Sequence, residues 1–221
     1  MEEFKLEKLS KKLPLAAGIN GKDEYFNSAV LVLLMLINGE YHFVFEKRAA
    51  SIRQAGEFCF PGGKFDSEKD KSFQETAIRE TVEELGITAD QIKVIGPLDT
   101  VIATIGTTVD AFLGILDVED VEDLRINFSE VERIFTVPVS HFENNEPEVY
   151  QVVLEVHPSH LNQAGEEVVT FPAKQLGLPE RYHKQWGNVK SNIFVYKVGD
   201  ATIWGITARL IRDVVRKIKE I

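Results

Sequence analysis

Residues 29–37 and 41–47 form two apolar runs that meet at Asn38-Gly39. Both linking residues tolerate a positive φ, as a two-residue turn between antiparallel strands demands, so the segment predicts a β-hairpin entering a core. A chain with such a hairpin builds a sheet, and its helical segments must pack on that sheet. Two segments have helical character. Residues 72–85 stop at Gly86, which suits a left-handed cap, and residues 202–221 carry Ile203, Ile206, Leu210, Val214 and Ile218 at steps of three and four. Arg209, Arg212, Arg216, Lys217 and Lys219 fall elsewhere on that last helix.

Residues 92–103 and 109–117 have the β-branched content of strands and are separated by Thr104-Ile105-Gly106-Thr107-Thr108, predicting a second hairpin. Residues 10–22 are turn-rich, and residues 129–138 hold a turn and a strand. Residues 149–157 and 167–171 read as weaker strands, and 172–186 as a helix broken near Pro179. With no internal repeat or linker, residues 1–221 read as one α/β domain.

The composition is that of an ordinary globular chain: 221 residues, 44% hydrophobic and 27% charged. With 25 Lys and Arg against 35 Asp and Glu, the net charge of -10 has the wrong sign for a broad nucleic-acid surface. A local cationic pocket for a small phosphorylated ligand is compatible with it. A single cysteine, Cys59, excludes an intramolecular disulfide, and the absence of finger-like Cys/His spacing removes structural zinc. Both point to a reducing, cytoplasmic setting. The apolar run 29–37 falls short of the ~20 residues that span a bilayer. The start, MEEFKLEKLSKKL, is amphipathic and of mixed charge without a signal-peptide core, so neither export nor a membrane anchor is expected.

The segment Arg79-Glu80-Thr81-Val82-Glu83-Glu84-Leu85-Gly86-Ile87 places three carboxylates at i, i+3 and i+4. On a helix they share one face and repel unless a cation sits among them, and hard oxygen ligands of this kind suit Mg2+ or Mn2+. Ile78, Val82 and Leu85 lie opposite, so the helix is expected to pack them while aiming its acids outward into a cleft. Arg79 is placed to pair with Glu83 at i+4 or Glu75 at i-4. A lone E-x-x-E-E is ordinarily a solvated acidic face. Here Gly62-Gly63, a connector, the Arg-Glu pair and the glycine cap come in order, which favours a functional site. The backbone amides around Gly62 and Gly63 can approach phosphate closely because no Cβ intervenes, although a glycine turn for chain geometry alone is the competing reading.

These residues resemble the signature of the Nudix hydrolases, in which a glycine, an isolated glutamate and an Arg-Glu…Glu-Glu helix follow in order. The C-terminal half matches closely. Thr81 replaces the usual bulky apolar residue, and fifteen residues separate Gly63 from Arg79 where the common form has thirteen. The isolated acid therefore has two candidates, Glu68 and Asp70. The resemblance implies an α/β/α sandwich around a mixed β-sheet, and Mg2+ or Mn2+ held by Glu80, Glu83 and Glu84. It also implies attack of water on phosphorus, with Arg79 holding the ligands. Glu83 and Glu130 are the candidates for general base or additional ligand, the second because Ser129-Glu130-Val131-Glu132 resembles a loop that approaches the site in many members. For Glu130 a plain cap or exposed turn acid is the equal alternative.

Upstream, Arg48-Ala49-Ala50-Ser51-Ile52-Arg53 followed by Gly56-Glu57-Phe58-Cys59-Phe60-Pro61-Gly62-Gly63-Lys64 is similar to the extra signature of the coenzyme A pyrophosphatase branch, with one residue fewer between Arg53 and Gly56. Ile203-Trp204-Gly205-Ile206-Thr207-Ala208 is similar to a second segment of that branch. The similarity spans residues 27–142 and 195–216 and leaves 143–192 as a family-variable insertion. It implies cleavage of coenzyme A or acyl-coenzyme A to 3',5'-ADP and 4'-phosphopantetheine or its acyl form. Arg48, Arg53 and Lys64, with Gly62 and Gly63, would then bind substrate. Another nucleoside diphosphate derivative, or a Nudix module that binds without turnover, stays open as an alternative. The implied partner is a small molecule, with a homodimer left open. Cys59 is expected to be packed rather than reactive, His157 and His160 to lie in a loop around Pro158, and Trp204 to belong to the core.

Overall fold

A computed structural model of the chain describes residues 3–15, 17–104 and 106–221. After a first helix, α1 (Glu3–Ser10), the predicted hairpin forms as β1 (Phe26–Ile37) and β2 (Glu40–Arg48), with Asn38 and Gly39 both at positive φ in the turn. Two short strands, β3 (Phe58–Cys59) and β4 (Gly62–Lys64), then lead into helix α2 (Phe73–Leu85). Next come β5 (Ile92–Pro97), β6 (Val101–Ala103), β7 (Thr107–Leu116), β8 (Val131–Pro138) and the short helix α3 (Val139–Asn144). The C-terminal part holds β9 (Glu148–Val156), β10 (Ser159–Leu161), β11 (Glu167–Val169), β12 (Trp186–Val198), β13 (Ala201–Trp204) and helix α4 (Gly205–Lys219).

The principal sheet runs β3-β2-β1-β7-β5, with β4 also on β1, β6 on β7 and β8 on β2. β1 and β7 are parallel and the other pairs antiparallel, so the sheet is mixed. Alternate residues of a strand face opposite sides, and this period of two sorts the hairpin between two layers. Ala29, Leu31, Leu33, Met35 and Val44 pack with Ala77 and Leu85 of α2. Val32, Phe43 and Phe45 pack with Ala208, Leu210, Ile211 and Val214 of α4 on the other side, together with Phe142 of α3. Each fully buried side chain of this size contributes about 1.5–3 kcal/mol. The result is the expected α/β/α sandwich around a mixed β-sheet. A second sheet, ordered β13-β12-β9, extends from the α4 side, and Val149, Tyr150, Val152, Val153 and Val189 are exposed on it.

The structure corrects several expectations. Residues 92–103 are two strands, broken where Leu98 bonds Ala111 and Thr100 bonds Asp110. Thr107 and Thr108 belong to β7 rather than to the turn, and Ile105 of that turn lies outside the described residues, as do Met1 and Glu2 of the N-terminal segment. Residues 172–186 form no α-helix. One turn after Pro172 ends at Gly177 with φ 68°, a 3-10 turn follows Pro179, and Trp186 already opens β12. The last helix starts at Gly205, because 201–204 pair with β12 as β13. This leaves Trp204 44% exposed and outside the core.

Candidate active site

Gly62 sits at φ 153°, and a Cβ there would lie 2.3 Å from the carbonyl oxygen of Ala29, so only glycine lets β4 pair so closely with β1. Its N–H donates to Glu84 Oε2 at 2.9 Å. A Cβ on Gly63 would lie 2.4 Å from Cδ of Glu80. The glycine pair thus lies directly against two carboxylates of α2. Ser72 starts that helix by accepting the Glu75 N–H, and Gly86 ends it at φ 64°. Just beyond it, Arg125 and Asn127 donate their N–H groups to the carbonyls of Leu85 and Glu84, which ties the turn carrying Glu130 to the end of α2. The carbonyl of Glu130 in turn accepts from Ala49 N–H, fastening the loop after β2 to the same place.

Arg79 is clamped from one side. Its Nε and Nη2 donate to the two carboxylate oxygens of Asp70, each at 2.8 Å, and Nη1 donates to Glu80 Oε1 at 2.8 Å and reaches Glu83 Oε2 at 3.5 Å. Asp70 is only 5% exposed and also accepts from Thr76 Oγ1 and Asp66 N–H. The Arg79 guanidinium holds its carboxyl well below the usual range. Between Glu68 and Asp70, therefore, it is Asp70 that meets Arg79, while Glu68 is exposed. Of the two expected partners, Glu83 is met at the outer limit of a hydrogen bond. Glu75 instead accepts from Lys71 N–H at the start of the helix.

Contrary to the expectation that the helix aims its acids outward, they do not all do so. Glu83 does, at 56% side-chain exposure, but Glu84 is 3% exposed and Glu80 is half-buried. The buried face of α2 is Thr76, Ala77, Thr81, Glu84 and Leu85, with Ile78 and Val82 only partly covered. Thr81 is tolerated at a buried position because its hydroxyl donates to Ala77 O at 2.7 Å. Glu46 of β2, which the sequence reading passed over, lies beside Glu84 and is 1% exposed. Burial, foremost, raises Glu46 to about 7 and Glu84 to about 10, and the charge of Glu46 adds to the rise at Glu84. Glu80 is raised by burial in spite of Arg79. The charge of Glu130 adds to the rise at all three, so Glu130 lies within electrostatic reach of the cleft, with its Oε1 accepting from Asn127 Nδ2 at 3.2 Å.

Cys59 donates its thiol to Glu46 Oε1 at 3.2 Å, and burial pushes its own ionisation up, as befits a packed and unreactive thiol. A basic neighbour is nevertheless present: Arg48 Nη1 stands 3.9 Å from both Cys59 Sγ and Glu46 Oε1. With its Nε bonded to the carbonyl of Arg53, Arg48 is turned inward and braces the loop. Arg53 and Lys64 are exposed. Glu46 Oε2 is buried and has no hydrogen-bond partner. Among the described residues no three His, Cys, Asp or Glu side chains stand close enough to hold a metal unaided. The donor set is all carboxylate oxygen with one buried oxygen unpaired, which fits a hard divalent cation completed by water and phosphate. A cavity of about 520 Å³ lined by His157, Ser159, Glu167, His183 and Lys184 shares no residue with this cleft.

The NUDIX domain family matches residues 26–156. Nudix hydrolase 3 of Caenorhabditis elegans is 37% identical over 53% of this chain and 50% of its own length. The mitochondrial coenzyme A diphosphatase NUDT8 of Mus musculus is 32% identical over 72% of this chain and 71% of its own, and the mouse peroxisomal coenzyme A diphosphatase NUDT7 is 31% identical over 64% and 56%. The chain spans about half the length of the first of these relatives.

Proposed function

Because the chain belongs to the NUDIX domain family, we propose that it is a hydrolase of phosphoanhydrides that acts with Mg2+ or Mn2+ on coenzyme A or acyl-coenzyme A, releasing 3',5'-ADP and 4'-phosphopantetheine or its acyl form. The observation that carries this reading is the surplus of carboxylate packed against the Gly62-Gly63 loop. Glu46, Glu80, Glu84 and Glu130 crowd one cleft with Arg79 as the cation on its rim, an arrangement that water alone does not stabilise. A divalent cation held there would neutralise the diphosphate and activate a water for attack on phosphorus.

The chain's own residues divide the remaining work. Glu80, Glu83 and Glu84 are the metal-binding set in this reading, with Gly62 N–H fixing Glu84 in place. Arg79, locked by Asp70, holds Glu80 and restrains Glu83. Glu83, the exposed one of the three helix acids, and Glu130, whose Oε1 accepts from Asn127 Nδ2 at 3.2 Å, are the groups assigned to take a proton from water. Backbone at Gly62 and Gly63 lies where no Cβ obstructs a phosphate. The exposed cations Arg53 and Lys64 suit the 3'-phosphate, while Arg48 acts on substrate through the loop it braces. The coenzyme A substrate is favoured by the Arg48–Gly63 pattern and by the names of the two mouse relatives. One domain over 1–221 with 143–192 as an insertion, a cytoplasmic setting and a homodimer belong to the same reading, although the two mouse relatives are by name mitochondrial and peroxisomal.

The test is turnover with Mg2+ and Mn2+ across coenzyme A, acyl-coenzyme A, ADP-ribose, NADH, diadenosine polyphosphates and nucleoside triphosphates, with products separated by chromatography. Fastest release of 3',5'-ADP from coenzyme A or its thioesters is the expected result, nearly abolished in Glu84→Gln. Preference for another diphosphate would leave the hydrolase and remove the substrate. No turnover of any of them would make the chain a binding module.

A further inference from the structure

Glu80 and Glu84 of the cleft belong to the motif on α2 and Glu130 to the turn tied to the end of that helix, which leaves Glu46 on the neighbouring strand without a part in either. We infer that Glu46 is a cation ligand, its Oε2 and the carboxylate of Glu84 together taking one divalent ion between β2 and α2. This rests on the metal-dependent reading above and adds to it a ligand that lies outside the helix.

The two oxygens of Glu46 have different surroundings. Oε1 accepts the Cys59 thiol at 3.2 Å and lies 3.9 Å from Arg48, whereas Oε2 is buried without a hydrogen-bond partner and has only the Glu84 carboxyl beside it. Buried polar atoms are ordinarily paired, so an orphaned carboxylate oxygen marks a partner yet to arrive. Its neighbour is Glu84, whose Oε2 is already held by Gly62 N–H, and a second carboxylate offers no donor unless one of the two is protonated. A strand interior lined by Val44 on the same face gives no structural reason for an acid there, since an apolar or amide side chain would fill the space without the cost of burying charge. A cation between the two carboxylates supplies what both lack. Two protein carboxylates, with the remaining positions left to water and to the substrate's diphosphate, are the arrangement Mg2+ favours, which agrees with the absence of any closed three-residue cluster among the described residues. The thiol of Cys59 and the guanidinium of Arg48 then orient Glu46 from behind, as outer partners orient metal ligands elsewhere.

The experiment is a titration of the whole chain with Mn2+, followed by electron paramagnetic resonance and by the shift in Tm that Mn2+ produces. Wild type, Glu46→Gln and Glu84→Gln are compared. Glu46→Gln keeps the shape and removes the charge, so its metal-free Tm should equal or exceed that of wild type, while Mn2+ affinity falls about tenfold or more and the Mn2+-induced Tm shift shrinks. If Glu46→Gln does not fold, Glu46→Asp keeps the charge and shortens the reach, and the same loss of affinity is expected. Wild-type Mn2+ affinity in whichever variant folds overturns the inference, and would mean that the pair is held by a shared proton. In that case Glu84→Gln still loses Mn2+ and the hydrolase reading stands. Failure of the wild type itself to bind Mn2+ overturns both.

Discussion

Asp70 is placed by three donors, and Arg79 by two acids besides it, so the pair works as a strut under Glu80. Replacing Asp70 by Asn would leave the guanidinium facing a neutral amide, at a cost of about 3 kcal/mol for a pair this buried. Its pH signature has a definite sign. A carboxyl held below its unfolded value of about 3.9 contributes stability that is present above that pH and is lost as pH falls through the folded value. Urea unfolding at pH 7 and in steps below pH 4 should show Asp70→Asn less stable at neutrality and converging on wild type in acid. At Gly63 the constraint is steric. A methyl there must push aside the Glu80 carboxylate, the far end of a flexible side chain, so Gly63→Ala should fold yet lose about 100-fold in turnover if Glu80 has the metal-binding role proposed for it. Unchanged turnover in that variant would remove Glu80 from the working set. The sequence made Glu80, Glu83 and Glu84 visible because they share one helix. Glu46 was legible only through the period of two, which puts it on the Val44 face of β2 toward α2, and that inference needed the packing partner to be known first.

At the scale of elements, the segments that local chemistry specifies were readable and those that depend on distant pairing were not. The β1-β2 hairpin follows from Asn38-Gly39, and α2 follows from Ser72 and Gly86, all within one or two turns of chain. β12, by contrast, pairs with a strand about thirty residues earlier, and no periodicity within 172–186 announces that its end opens a strand rather than closing a helix. Trp204 was misplaced for the same reason: β13 exists only because β12 is beside it. Gly86 shows how an element boundary reaches the site. A Cβ there would fall 2.0 Å from the carbonyl of Arg125, a backbone atom that cannot step aside alone, in a conformation that costs an L-residue about 1–2 kcal/mol even in open space. Gly86→Ala should therefore lower stability by more than that strain, and turnover should fall as well, because the turn from Arg125 to Glu130 is hung on the end of α2. Thermal unfolding together with the turnover of the folded fraction checks both. Wild-type turnover in a destabilised variant would show that Glu130 is not positioned through this turn.

At the scale of the whole molecule the protein carries a net charge of -10, and its cleft concentrates four acids of that sign around buried positions. The stability of the metal-free protein must then depend on pH in a direction opposite to that of Asp70. Glu46 and Glu84 are raised to about 7 and about 10 in the folded chain, against about 4.3 when unfolded, so the native state holds protons that the unfolded state has released. What they contribute is present in full below about pH 4.3 and is lost as pH rises through 7 and beyond, since each must either ionise in place or keep its proton at growing cost. A divalent cation bound as proposed would reverse this trend, because it would favour the ionised carboxylates of the folded chain. Between pH 6 and 9, Tm without added metal should decline, and saturating Mg2+ or Mn2+ should flatten the decline, with the largest gain at the alkaline end. Ca2+-free, chelator-treated protein provides the baseline. A Tm that stays level with pH in the absence of metal, or a metal-induced gain that does not grow with pH, would mean that the acids of the cleft are neutralised by one another and that the charge surplus is not what the fold holds in reserve for its ligand.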